Sequence, residues 1–200
     1  MNTEISENTA TDPSENLPDN VRVTRYRGGE LREIRYRDGD GQTHREDGPA
    51  VVTYYPNGQI KHEGYYRHSI LHREDGPAST SFSPDGYVTA KKYFHHGTLH
   101  REEGPAVYLY RDWNEERYYR DGQVHREDGP AFVTYYKDGT VRSEAYLQND
   151  RRHREDGPAE IMYAPNGRVV YADDYITLRG EVVDTESPVP GVAAETAESL

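Results

Sequence analysis

The 200-residue chain is only 33% hydrophobic, and Tyr, with 18 copies against 3 Phe and 1 Trp, carries most of its large apolar surface. That excludes a thick aliphatic core and favours a thin structure faced with amphipathic rings. The net charge of −12 sits at the ends: residues 1–20 and 180–200 each hold five acids and no Lys or Arg, which leaves 26 acids against 24 bases between them.

Residues 1–20 are rich in Glu, Asn, Asp, Ser, Thr and Pro. A segment so poor in apolar residues cannot offset its ordering entropy and reads as a disordered acidic tail. It is unlike a signal peptide, and no stretch approaches the roughly 18 apolar residues of a membrane span. The absence of cysteine excludes disulfides, thiolate metal sites and thiol nucleophiles. The reading is a soluble, cytoplasmic protein.

A repeat domain is expected over residues 21–179. Its organising phrase is His-Arg-Glu-Asp-Gly-Pro-Ala, at 44–50, 72–78, 125–131 and 153–159, with a near copy at 100–106 in which Glu103 replaces Asp. The copies start 28, 28, 25 and 28 residues apart, and a fixed period of this size marks a repeat architecture. Val21–Arg27 and Leu31–Tyr36 flank Gly28-Gly29 and read as a hairpin. Each later unit has a strand after Pro-Ala, then a turn, then a second strand, as in Val51–Tyr55, Pro56-Asn57-Gly58 and Ile60–Arg67.

Asn-Gly or Asp-Gly recurs at 85–86, 138–139 and 166–167 and favours positive φ in tight turns. The unit with Asp112-Trp113-Asn114 lacks the Gly, is three residues shorter and needs a different turn. Six antiparallel hairpins are predicted, near 21–37, 50–67, 78–95, 106–120, 131–148 and 159–177. They form one continuous twisted all-β meander in which each unit touches mainly its neighbours. Residues 180–200 read as a second disordered acidic tail.

Aromatic residues recur in register. Tyr54, Phe82, Tyr110, Tyr135 and Tyr163 occupy one place in the first strands, while Tyr65/Tyr66, Tyr93/Phe94, Tyr118/Tyr119 and Tyr146/Leu147 close the second strands. Such ladders cover a thin sheet and offer flat rings to a protein groove or a sugar. Tyr55, Tyr66, Phe94, Tyr119 and Tyr136 are the candidate partner-binding face.

The phrase itself reads as structural. A catalytic site needs one unique constellation, whereas stacking needs equal copies. Asp47, Asp75, Asp128 and Asp156 are expected to bond nearby backbone amides. Gly48, Gly76, Gly104, Gly129 and Gly157 supply φ values that other residues avoid, and Pro fixes the exit into the next strand. The Arg of one unit is placed beside the Glu of the next. His44, His72, His100, His125 and His153 are expected neutral and bonded to a turn carbonyl, and the Arg after each disfavours a bound cation. No metal, cofactor or catalytic residue is expected. The chain lacks a zinc-protease motif, a phosphate loop, a dinucleotide fingerprint and a nucleophile elbow.

The pattern of an aromatic, Asn/Asp-Gly, an aromatic pair and a Gly-containing turn resembles the MORN repeats, and more closely a divergent bacterial variant found in antitoxin-like proteins. Tyr55–Tyr66 carries the resemblance best. Leu71–Ala78 is similar to tandem repeats of bacterial, phage and large-virus proteins. The single Trp113 departs from the recurring Trp of the usual MORN motif. The resemblance implies an elongated non-enzymatic scaffold for protein or lipid contacts. The leading expectation is a monomer that binds a protein partner, as an antitoxin or an inhibitor of a host protein does. The alternative is a carbohydrate- or phospholipid-binding module using the Tyr ladder, with peripheral lipid contact through the arginines of the first hairpin, Arg22 to Arg37. Nucleic acid is not an expected partner, since a near-neutral body lacks the basic surface it needs.

Overall fold

The computed structural model describes residues 12–15, 17–173, 175–178 and 181–184. The described residues are all-β. Twelve strands form one antiparallel sheet in strict chain order: β1 (Val21–Arg25), β2 (Leu31–Tyr36), β3 (Val51–Tyr54), β4 (Ile60–Gly64), β5 (Ser79–Phe82), β6 (Val88–Lys92), β7 (Val107–Tyr110), β8 (Asn114–Arg117), β9 (Phe132–Tyr135), β10 (Val141–Ala145), β11 (Glu160–Tyr163) and β12 (Val169–Asp173). These are the six expected hairpins. At ordinary strand spacing the sheet is about 50 Å across, against strands about 13–20 Å long.

The hairpin turns follow the sequence with one adjustment. In the second hairpin the Gly58 amide bonds the Tyr55 carbonyl at 2.9 Å and the Tyr55 amide bonds Gln59 at 2.8 Å. Gly58 takes a φ of 82°, and the register shifts beside it at Thr53/Tyr54. This is a turn closed by a glycine bulge, in which Gly alone is left-handed and Asn57 caps the Gln59 amide with its side chain. The β7–β8 hairpin pairs Tyr110 directly with Asn114 without a register shift, as its missing glycine requires.

The second strands are shorter than the sequence suggests. Ile60–Arg67 breaks after Gly64, and the chain forms a two-stranded ribbon, Tyr66–Arg67 with Ile70–Leu71. Ribbons recur at Phe94–His95/Thr98–Leu99, Tyr119–Arg120/Gln123–Val124 and Leu147–Gln148/Arg151–Arg152. The break has a simple cause. Beyond Ala78, whose carbonyl takes the Tyr65 amide at 2.8 Å, the neighbouring chain runs into Gly76-Pro77, and Pro has no N–H to extend the ladder. A further ribbon, Tyr175–Leu178 with Glu181–Asp184, extends into the stretch assigned to the C-terminal tail. The other residues of that stretch lie outside the described residues. Of residues 1–20, Asp12 pairs with Arg25 at 2.8 Å and Leu17 packs on the first hairpins.

The interior is thin. Ala50, Ala78, Ala106, Ala131 and Ala159 are fully buried, and among the described residues no larger side chain is. The main apolar cluster is Leu31, Ile34, Val52 and Tyr54, with Leu17, Val21, Val23, Tyr36 and Ile60 packed against it.

Candidate functional site

The five phrases lie side by side along the ribbon row, and their side chains form one recurring unit. The Arg comes first. The guanidinium of Arg45 lies 4.1 Å from the ring centroid of Tyr36. Arg73, Arg101, Arg126 and Arg154 lie 4.0 Å from Tyr65, Tyr93, Tyr118 and Tyr146. Each Tyr is the residue at which the chain leaves the sheet, so the stack joins sheet to phrase by a cation–π contact.

The Arg then pairs within its own phrase. Arg45 donates to Asp47 at 2.7 Å, Arg73 to Asp75 and Arg126 to Asp128 at 2.8 Å, and Arg154 to Asp156 at 3.0 Å. These bonds hold the four carboxyls below the usual carboxylate range. The phrase Arg thus pairs with the Asp of its own unit and not, as expected, with the Glu of the next, and each Asp adds a weaker bond to its own backbone amide. A side chain two residues away reaches the Arg more readily than one across a repeat.

The glycine is explained by space. Gly76 has no positive φ, but a Cβ there would sit 3.0 Å from the Arg73 guanidinium, and Gly48, Gly129 and Gly157 face their arginines in the same way. Gly104, in the variant phrase, does take a φ of 92°. There Arg101 donates to the Pro105 carbonyl and the Tyr108 hydroxyl, both at 3.1 Å.

The histidines clamp one unit to the next, though not through the carbonyl the sequence suggested. The ribbon turns are left-handed at His68-Ser69, His96-Gly97, Asp121-Gly122 and Asn149-Asp150. Two such residues in succession mark the mirror-image hairpin turn, whose amides face the preceding unit. The His68 amide donates to Nδ1 of His44 at 3.3 Å, and those of His96 and Asp121 donate to Nδ1 of His72 and His100 at 3.1 Å. The second turn amide bonds the carbonyl just before the preceding phrase: Ser69 to Thr43, Gly97 to Leu71, Gly122 to Leu99 and Asp150 to Val124. His125 meets the Asn149 carboxamide at 3.0 Å. A ring that accepts an amide must be neutral at that nitrogen. Burial accordingly pushes the His72 imidazole below its ordinary pKa.

The phrase Glu faces water. Glu46, Glu74, Glu127 and Glu155 have side chains 70–90% exposed, and Glu102 and Glu103 are exposed too. Open clefts of about 500 Å³ separate successive phrases, one lined by Arg73, Glu74, Asp75 and His100 to Glu103, the next by Arg101 to Gly104 and His125 to Asp128. With the phrase arginines turned inward, the glutamates line the exposed edge of the row, where Glu74 and Glu127 also meet the ribbon arginines Arg67 and Arg120 at 3.4 and 3.3 Å.

The five aromatic candidates fall in two places. Tyr55 and Tyr136 lie at hairpin tips and donate to the carbonyls of Phe82 and Tyr163 at 2.9 and 2.7 Å, stapling adjacent hairpins as Tyr26 does with Tyr54. Tyr66, Phe94 and Tyr119 lie in the ribbons, half-buried. Sequence reasoning missed the ribbon-turn residues. Their signal was a fixed offset of 24 from the phrase His to His68, His96 and Asn149, and of 21 to Asp121 in the short unit.

Among the described residues, two groups have geometry that could hold a metal ion: His72, His95 and His96, and Asp38, His44 and His68, each with ligand atoms within 4.8 Å of one another. No described helix is long and apolar enough to cross a membrane.

Comparison with known families supports the repeat reading. The MORN repeat variant model matches residues 50–68, which span β3, β4 and the start of the first ribbon. No curated protein matches the chain. The chain is thus a strand-rich repeat similar to the MORN variant, and that likeness suggests a scaffold.

Proposed function

We propose that the protein is a non-enzymatic scaffold that binds a basic protein partner along the acidic edge of its phrase row. One observation carries this: the phrase arginines are stacked and paired inside the repeat, while its glutamates project into solvent at every unit. A row of like charges at regular spacing steers a complementary chain and fixes its register more than it sets affinity. Neutralising a basic toxin or host protein is the narrower form of this reading. The staples at Tyr55 and Tyr136 support a structural role for those rings, so the candidate face shifts from the hairpin tips to Tyr66, Phe94 and Tyr119 in the ribbons.

The test compares the full chain with a variant carrying Gln at Glu46, Glu74, Glu102, Glu127 and Glu155. A captured partner, purified and titrated, should bind the variant at least about tenfold more weakly, with the wild-type affinity falling as salt rises. Equal binding to both chains overturns the proposal, as does flotation with anionic phospholipid vesicles in place of a protein partner.

A further inference from the structure

We propose that His72, His95 and His96 form a site for a borderline divalent transition-metal ion such as zinc(II), set across the seam between two neighbouring repeats. The three rings come from two units. His72 opens the second phrase, and His95 and His96 belong to the next ribbon and its turn. Ring centroids lie 4.5 Å apart for His72 and His96, 5.2 Å for His72 and His95, and 4.4 Å for His95 and His96. At this seam the ribbon turn supplies two imidazoles. The corresponding pairs elsewhere are Arg67-His68, Arg120-Asp121 and Gln148-Asn149.

An all-imidazole set selects zinc, copper(II) or nickel over magnesium and calcium, which prefer oxygen. Candidate nitrogens lie within 4.8 Å of one another, and a tetrahedral zinc ion would set them about 3.4 Å apart. Rotation of two exposed rings closes that gap. His72 is the fixed member, 3% exposed and held through its amide on the Tyr65 carbonyl. Among the described residues, the rings of His95 and His96 make ring contacts but no hydrogen bonds.

The neighbouring cations are each paired with a carboxylate. Arg73 is stacked on Tyr65 and paired with Asp75, and Arg67 is paired with Glu74 at 3.4 Å. Glu74 also lies 3.4 Å from Nε2 of His72, so a carboxylate is at hand for a fourth position. The cleft beside His95 and His100 admits water as another ligand.

Binding has a definite cost. A neutral imidazole has one free lone pair, and in His72 the His96 amide occupies it. An ion at Nδ1 displaces that amide directly, and an ion at Nε2 moves the ring proton to Nδ1 and displaces it as well. The metal thus replaces a hydrogen bond as the link across the seam. The group Asp38, His44 and His68 supplies the control, because His68 is already bonded to Asp38 at 2.9 Å and Asp38 also accepts two backbone amides.

The experiment titrates zinc(II), and cobalt(II) as a spectroscopic probe, into the untagged full chain near pH 7.5. The expected result is one ion per chain, tetrahedral cobalt absorption and a raised melting temperature. The exposed-residue variants H95Q and H96Q, each folded by circular dichroism, should lower affinity at least about tenfold, the scale that even outer-shell partners reach, while H68Q leaves it unchanged. Absence of saturable one-to-one binding overturns the proposal, as does binding that survives both H95Q and H96Q or is lost in H68Q.

Discussion

At the β2–β3 seam, Ile34 faces Val52 and packs with Leu31 and Tyr54 in an apolar cluster. At the β8–β9 and β10–β11 seams the same register position holds Glu116, facing Val133, and Glu144, facing Ile161. These glutamates accept hydrogen bonds at 2.9 Å from the hydroxyls of Tyr135 and Tyr163, the residues that repeat Tyr54. One backbone position is thus filled by aliphatic packing at one end of the sheet and by a phenol–carboxylate bond at the other. Burial, reinforced by the neighbouring carboxylate, pushes Tyr135 well above its ordinary pKa and Tyr163 up to about 12. The difference teaches that the scaffold is set by the backbone ladder and the phrase, and that the seam chemistry can be exchanged around it.

The largest effect should come from breaking the aliphatic end. Ile34→Ala removes buried volume from a site 4% exposed and should cost about 2–4 kcal/mol, read from urea unfolding. Next is the phrase. Gly76→Ala places a methyl group against the Arg73 guanidinium, and lifting that Arg from Tyr65 should cost about 1 kcal/mol. Tyr fluorescence and thermal melting would report both.

Smaller effects come from the polar end. Tyr135→Phe removes one hydrogen bond and should cost about 1 kcal/mol. The double change Glu116→Ile with Tyr135→Phe should recover that loss by imitating the Ile34 seam. The wild type should also weaken as pH rises above about 10, where unfolded Tyr ionises while Tyr135 and Tyr163 keep their protons. Tyr135→Phe should blunt that decline.

The smallest effect is on the acid side. The His72 pKa is lowered in the fold, so the unfolded chain takes up the proton first, and stability should fall as pH drops below about 6.5. Melting curves at successive pH values would show the slope, and His72→Gln should reduce it, the rest belonging to His62, which burial also holds below its ordinary pKa.

Much of the fold was legible in the sequence. Period-two alternation, the glycine turns and the repeated phrase gave all six hairpins and their order. The ribbons were not legible, because strands of two residues such as Tyr66–Arg67 carry no periodicity. Nor was the reason for Gly76, since a glycine required by a stacked Arg looks like one required by positive φ. The phrase's structural part could be inferred from its equal copies. The role of His72 as an acceptor could not, because its donor lies 24 residues away in a turn with no signature of its own.

Each strand of the sheet pairs only with the strands next to it in sequence. Assembly therefore never waits for distant parts of the polypeptide to meet, and loop-closure entropy stays small at every step. Such a chain can zip outward from whichever hairpin nucleates first, or unit by unit as it leaves the ribosome. Duplication of a 28-residue module would lengthen it without slowing that process.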